Sequence, residues 1–400
     1  MSGKTTKEGK MDRKVYLDNA STTYVSSEVL NEMIPCFNAI YGNAGSLHKF
    51  GRDAVAIVDK ARDRVREGIN AQKSTEVYFT SGGTEANNTA ILGVAHAYAN
   101  KGKHIITSQI EHPSILNACK ELEKEGFEVT YLPVDKTGLV SLPDLLHAIR
   151  KDTILISIMS VNNEVGTIQN IKSIAKIAHD YDILFHTDAV QAIGQIKIDV
   201  RDMEIDLLSL SGHKIHGPKG VGALYVRNGV KFEPITFGGN QERGKRSGTE
   251  NVPGIAGLGK AVELATKNYI ITNKKLKTIR DYFLDKLAEN VEYYQINGHL
   301  QQKSNEILNI SFYGIEGESL LMLLDLAGIC VSTGSACTSK VAEPSHVLKA
   351  MNIPNDIIQS SVRFSFGTNI SKADIDYTIN ELSKAITKLR GISPIQAGRI

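Results

Sequence analysis

The chain has 400 residues, with 46 Lys and Arg against 44 Asp and Glu and a formal charge of +2. So balanced a composition builds no single-sign field for gripping nucleic acid or an anionic membrane surface. The length allows two lobes with separate cores, and 42% hydrophobic with 22% charged residues is ordinary for a soluble globular enzyme.

Met1 to Lys14 is polar and lysine-rich without an apolar core segment, so it does not read as a signal peptide. No apolar run reaches membrane-spanning length either, and a cytoplasmic protein is expected. Tyr16-Leu17-Asp18-Asn19 predicts a short strand that runs into helix-capping residues, Ala20 to Thr23. Gly42 to His48 is a loop of small residues. Ala54, Val58, Ala61 and Val65, spaced four, three and four apart among charges, predict an amphipathic helix.

Glu76 to Thr80 predicts a strand leading through Ser81-Gly82-Gly83-Thr84 into a helix that carries Ala86, Ala90, Val94 and Ala97 inward. Such a glycine pair offers free N–H groups and a helix N-terminus to an anion, with Thr84 adding a hydroxyl; a plain strand-to-helix turn has the same appearance. The alternation continues with a strand at Ile105–Thr107, a helix at Ile115–Glu125, a strand at Glu128–Leu132 and a helix at Pro143–Arg150. Repeated βα units predict a largely parallel, two-sided sheet whose ligands bind outside the carboxyl ends of its strands. Polar residues fall at those ends: Glu111-His112, then Asn162-Asn163-Glu164 after a strand read over Thr153–Val161, then His186-Thr187-Asp188 with Gln191.

Ser209 to Gly220, Ser-Leu-Ser-Gly-His-Lys-Ile-His-Gly-Pro-Lys-Gly, is a Gly-punctuated turn between the apolar segments Ile205–Leu208 and Val221–Val226. Lys214 in its middle has Ser211 and His213 beside it instead of carboxylates. It is either a solvated loop lysine or an amine placed for Schiff-base chemistry. The loop Gly238 to Thr249 is too polar and glycine-rich to be buried on its own, which points to an interface or a ligand. A long helix from about Ile255 leads to a second alternating block near Asn309-Ile310-Ser311-Phe312.

The four cysteines are scattered and contain no Cys-x-x-Cys pair, which argues against a zinc site or a disulfide framework, and no metal site is expected. Cys36 and Cys119 lie among apolar neighbours in expected helices, as buried structural thiols do, and Cys330 sits in an apolar strand end. Cys337 differs. Its loop, Ser332-Thr333-Gly334-Ser335-Ala336-Cys337-Thr338-Ser339, has a surface composition, and an exposed thiol is an oxidation liability unless it has work to do. Arg363, inside the apolar strand Ser360–Gly367, needs an anionic partner: either a structural carboxylate or a substrate's.

With these motifs in order from Leu17-Asp18-Asn19 to Arg363-Phe364-Ser365, nearly the whole chain resembles the pyridoxal-phosphate-dependent cysteine desulfurases of the NifS/IscS type, within the class V aminotransferases. The most specific parts are the Ser-Gly-His-Lys-Ile-His-Gly-Pro-Lys-Gly and Ser-Thr-Gly-Ser-Ala-Cys-Thr-Ser blocks. The resemblance implies an α/β, fold-type I PLP-dependent transferase: a large domain over 23–265 with a mixed, mostly parallel sheet flanked by helices, and a smaller α+β domain from 1–22 and 266–400 that carries a mobile cysteine loop, 332–342. It further implies a homodimer in which Lys214 holds pyridoxal 5'-phosphate as a Schiff base, Asp188 pairs with the pyridinium nitrogen, His112 stacks on the ring and Gln191 bonds its phenolic oxygen. The phosphate would lie on Gly83, Thr84, Ser211 and His213, closed by Thr249 of a partner subunit. Asn163, also beside the cofactor, and Arg363 would hold the carboxylate of L-cysteine.

The implied reaction converts L-cysteine to L-alanine and leaves the sulfur as a persulfide on Cys337, with Lys214 and His112 handling protons. The sulfur would pass to an acceptor protein such as an iron–sulfur scaffold, for cluster assembly or for tRNA or cofactor thiolation, and Cys337 would transiently ligate a partner's iron–sulfur cluster. Thr333 stands where serine is common, and Gly83 and Gly212 where alanine is frequent. A transaminase of the same fold gives no reason for Cys337; a non-catalytic sulfur carrier gives none for Lys214, Asp188 and His112 together. A nucleotide-binding module would need the Lys-Ser/Thr pair that is missing after Gly82-Gly83.

Overall fold

The computed structural model describes residues 13–333 and 344–393. Twelve strands appear in it: β1 (Val15–Tyr16), β2 (Val77–Thr80), β3 (His104–Ser108), β4 (Glu128–Leu132), β5 (Thr153–Ser157), β6 (Leu184–Asp188), β7 (Leu207–Ser211), β8 (Gly222–Val226), β9 (Tyr294–Asn297), β10 (Ile307–Phe312), β11 (Ile329–Cys330) and β12 (Ser361–Ser365). Seven form the main sheet in the order β2-β8-β7-β6-β5-β3-β4. The pairs from β4 through β7 are all parallel, while β8 runs antiparallel to both β7 and β2. The largely parallel sheet expected from the βα alternation is therefore present, and its one reversed strand makes it the mixed sheet that the resemblance implies.

The two-residue period of a strand explains why both faces of this sheet are apolar. Ile105, Leu155, Leu207 and Leu224 face one side, onto Ala86, Ala90 and Val94 of the helix Gly83–Tyr98 and Ile115, Cys119 and Leu122 of the helix Pro113–Lys124. Their neighbours Ile106, Ile156, Leu208 and Ala223 face the other, onto Ala54, Val58, Ala61 and Val65 of the helix Lys49–Gly68 and the helix Ile171–Asp180. Cys36 and Cys119 are both buried, in keeping with structural thiols.

One helix, Val252–Asn290, serves two cores. Residues up to Val262 pack on the main sheet, whereas Leu276, Ile279, Phe283 and Leu287 enter a second core built on the antiparallel sheet β9-β10-β12. The N-terminal strand β1 joins that second core by parallel pairing with β11. Val347, Leu348, Met351 and Ile358, late in the chain, return to the main core.

Candidate functional site

The turn after β7 is short. Gly212–Lys214 forms a single 3-10 turn, closed by the Gly212 N–H bonding the carbonyl of Val221 at 3.0 Å. The N-terminal segment clamps it, because the Thr23 amide and hydroxyl both donate to the His213 carbonyl, at 2.8 and 3.0 Å. Lys214 then donates to the carbonyls of Ala20 and Ser21, at 2.5 and 2.8 Å. These acceptors are neutral, so they hold the amine without the attraction of a bonded carboxylate. Burial, and after it the charge of Arg363, bring the Lys214 ammonium down to about 8, against the opposing pull of Glu306, Asp18 and Asp188. A useful fraction of free amine is thus available near neutral pH. Lys219, in the same turn, is exposed.

Lys214 lines a cavity of about 330 Å³ together with Gly83, Thr84, His112, Asn163, Asp188, Gln191, Ser211, His213 and Arg363. Segments spread over 280 positions of sequence thus converge at the carboxyl end of the sheet. Thr249 is exposed and is not among the residues bounding this cavity in its own chain. Cys337 lies outside the described residues.

Asp188 ends β6 and is 6% exposed. Its carboxylate accepts from Asn87 Nδ2 at 2.7 Å and from the Val190 amide at 2.9 Å. The Asn87 amide also donates to Ser114 Oγ at 2.9 Å, and Ser114 Oγ in turn bonds His112 Nδ1 at 2.8 Å. His112 is the N-cap of the helix Pro113–Lys124, and its Nδ1 accepts from the Ser114 amide as well, at 3.1 Å. That acceptor role assigns the ring proton to Nε2. Burial lowers the His112 imidazole below its ordinary value, Asp188 opposing, so the ring is neutral at pH 7. A continuous relay Asp188–Asn87–Ser114–His112 therefore orients one carboxylate and one imidazole toward a shared space. Asn87 and Ser114 carry no motif signal; each reads in sequence as an ordinary residue in the first turns of a helix.

Arg363, in β12, is 4% exposed. Its Nη2 donates to Asp18 Oδ1 at 3.0 Å and Ser21 Oγ at 2.7 Å, and its Nη1 to the Asn163 carbonyl at 2.8 Å. Asp18 is the structural carboxylate that a buried arginine requires. The remaining donor, Nε, is buried without a partner, as are Ser211 Oγ and Asn87 Oδ1 on the same cavity's wall. Such groups normally find a bond. Gly83 lets the backbone approach closely: a Cβ there would stand only 2.7 Å from Val190 Cγ2 and 3.6 Å from Ser211 Cβ. Burial takes His213 down to about 4, so it too is neutral.

Several polar residues that the sequence puts near the strand ends do not bound this cavity. β5 stops at Ser157, earlier than the sequence predicts, and Asn162 is fully buried, donating to the Ile110 carbonyl at 3.0 Å. His186 is inside the sheet between Ser157 Oγ at 2.8 Å and Ser209 Oγ at 3.0 Å, with burial lowering it to about 3. Glu111 is enclosed and pushed up to about 8 by burial. The polar loop of 238–249 is less free than its composition implies. Glu242 is buried in a two-bond pair with Arg62, both at 2.7 Å, and Arg246 Nε bonds Glu85 Oε1 at 2.8 Å beside Thr84.

The family described as aminotransferase class-V matches residues 15–378. A protein named cysteine desulfurase IscS from Dictyoglomus turgidum is 51% identical over 384 residues, covering 96% of this chain and 97% of that one. One of the same name from Methanosarcina thermophila is 51% identical over 384 residues, covering 96% and 95%. Among solved structures, a NifS-like protein matches with a TM-score of 0.89 at 37% identity, covering 94% of this chain and all of its own. A structure described as SspA in complex with cysteine matches at 0.80 and 37% identity, covering 88% and 99%.

Proposed function

Because the chain belongs to the class-V aminotransferases, we propose that it is a pyridoxal-phosphate-dependent cysteine desulfurase that converts L-cysteine to L-alanine and passes on the sulfur. The observation that carries the reading is the buried Lys214 amine, held by two carbonyls, in one cavity with Asp188, His112 and Arg363. The residues present fit the cofactor: the unpartnered Ser211 hydroxyl and the N-terminus of the helix Gly83–Tyr98, which has no side-chain cap, suit its phosphate, and the unpartnered Arg363 Nε suits a substrate carboxylate.

In this reading Lys214 would hold the cofactor covalently, Gly83, Thr84, Ser211 and His213 would take its phosphate, and Gln191 and Asp188 would serve its ring oxygen and ring nitrogen. When bound, pyridoxal phosphate supplies an aldehyde that condenses with amines and a ring that accepts the electron pair left on the adjacent carbon. Asp188 is kept as an oriented acceptor by Asn87 and the Val190 amide. Arg363 and Asn163 fix the carboxylate of L-cysteine. As a free amine, Lys214 would take the proton from Cα of the substrate, which its lowered affinity for protons allows. His112, neutral and protonated on Nε2, stands as acid and base for the substrate thiol. Cys337 as thiolate forms the new S–S bond with the substrate sulfur; the Cβ–S bond breaks and its electron pair stays with carbon, which protonation completes as alanine. The balance is cysteine plus thiol giving alanine plus persulfide.

The active unit in this proposal is a cytoplasmic homodimer in which Thr249 closes the phosphate site of the second copy, and the persulfide goes to an acceptor such as an iron–sulfur scaffold protein. Among the described residues no helix is long and apolar enough to cross a membrane. The test is a visible spectrum of the purified protein followed by alanine and sulfide measurement with reductant present. Wild type should be coloured and form alanine; Lys214→Ala should lose both properties, and Cys337→Ala should keep colour but lose sulfide release. A colourless wild type, or sulfide release undiminished in Cys337→Ala, overturns the corresponding part.

A further inference from the structure

Lys214 borders a second space. Besides the cavity above it lines another, of about 280 Å³, whose wall includes Asn19, Gln195, His216 and Glu306. Glu306 immediately precedes β10 and is 6% exposed. Its backbone is fixed by the Ser304 hydroxyl, which accepts from its amide at 3.1 Å, and by the Phe366 amide, which donates to its carbonyl at 2.8 Å. Its carboxylate accepts from Gln195 Nε2. Among the described residues no lysine or arginine forms an ion pair with it, an expensive arrangement for an enclosed carboxylate unless it shares its charge with groups across a gap.

Lys214 shares this cavity's wall with Glu306, and Arg363 lines the neighbouring cavity with Lys214. The charges acting on Glu306 are Lys214 and Arg363, with burial raising its carboxyl to about 7. Glu306, Asp18 and Asp188 attract the Lys214 ammonium, while Arg363 repels it; of the three carboxylates, Glu306 alone lines the second cavity with Lys214. The other ionisable groups around the amine are His112 and the adjacent His213, both neutral; Glu28 and His216 stand on the second cavity's wall. We propose that Glu306 is a positioning residue that acts through Lys214: from the second cavity it stabilises the ammonium and so controls how readily that amine sheds its proton. The inference rests on the reading of Lys214 as the cofactor-holding amine.

The test uses full-length protein stripped of cofactor, mixed with pyridoxal phosphate across pH 6 to 10, and reads the rate of the absorbance change that Lys214→Ala lacks. Glu306→Gln should move the midpoint of that pH profile down by about 0.5–1 unit, as loss of one nearby negative charge requires. Glu306→Asp, which keeps the charge one methylene further back, should recover part of the shift, and Glu28→Gln should leave the midpoint where it is. An unshifted midpoint in a folded Glu306→Gln protein overturns the proposal. If that variant does not fold, an unshifted midpoint in Glu306→Ala, which also lacks the charge, does so. A wild type with no Lys214-dependent absorbance would instead overturn the reading of Lys214 and leave a different failure on record.

Discussion

Glu242 offers a quantitative test of how the 238–249 loop is held. Its carboxylate takes two bonds from Arg62 at 2.7 Å and one from the Phe79 amide at 3.0 Å, with Arg62 lying 4.6 Å above the Phe79 ring. Both side chains are nearly closed to solvent, 10% and 4% exposed. Glu242→Ala therefore strands a guanidinium and an amide, and removing one member of a buried pair costs about 3–5 kcal/mol. Opposing this, Glu242 and Arg243 have φ of 45° and 61°, and a left-handed conformation costs a non-glycine residue roughly 1–2 kcal/mol. Glycine at 242 relieves that strain but gives up roughly 0.4–1 kcal/mol in the unfolded chain, so Glu242→Gly should be more stable than Glu242→Ala by about 0.5–1 kcal/mol. Urea denaturation followed by circular dichroism measures both. If Glu242→Ala lies within about 1 kcal/mol of wild type, or if the glycine variant is the weaker of the two, the buried pair does not hold this loop as reasoned.

Two further outcomes follow from the site. Glu111 is held neutral by burial, at about 8 against an ordinary 4.5, so its contribution is fully present below about 4.5 and is lost as pH rises through about 8. Glu111→Gln should consequently gain on wild type as pH goes from 6 to 9, on the order of 1–3 kcal/mol in unfolding free energy from urea titrations; a constant gap would refute the assignment. At the glycine turn, Gly83→Ala should weaken cofactor retention about fivefold through the contact of its Cβ with Val190. Val190→Ala in the same protein should restore the loss, and a double variant no better than the single one would show that crowding is not the cause.

What the sequence made legible follows periodic chemistry. Strand pairs such as Leu207 and Leu208, or Ile105 and Ile106, announce a sheet buried on both faces, and that is how they pack. His112, Asn163, Asp188, Gln191 and Lys214 all bound one cavity because they follow, or end, successive strands of that sheet. The residues that stayed hidden depend on distant partners. Asn87 and Ser114 become a relay only because the first turns of two helices meet. Glu242 lies in a stretch as polar as any surface loop, and Arg62, 180 positions away, together with the Phe79 amide, makes its burial tolerable. His186 sits two residues from Asp188 and on the same strand, yet Ser157 and Ser209 of neighbouring strands satisfy it inside the sheet. Spacing along one strand cannot separate the end that meets a ligand from the stretch that meets other strands.

The placement of Lys214 joins the two cores in one functional requirement. Its acceptors, the carbonyls of Ala20 and Ser21, belong to the segment that follows β1, and β1 pairs with β11 in the second core. The same segment is tied to β12 by the Ser365 hydroxyl, which accepts from the Ala20 amide at 2.9 Å, and by Ser21 Oγ, which accepts from Arg363. The turn that carries Lys214, by contrast, hangs between β7 and β8 of the main sheet. An amine offered two neutral carbonyls loses little when it moves away from them, whereas one bonded to a carboxylate would leave a buried charge behind. Neutral acceptors therefore suit the alternation between covalent bond and free amine that the role proposed for Lys214 calls for, and they remain in place only while the second core keeps its N-terminal strand docked.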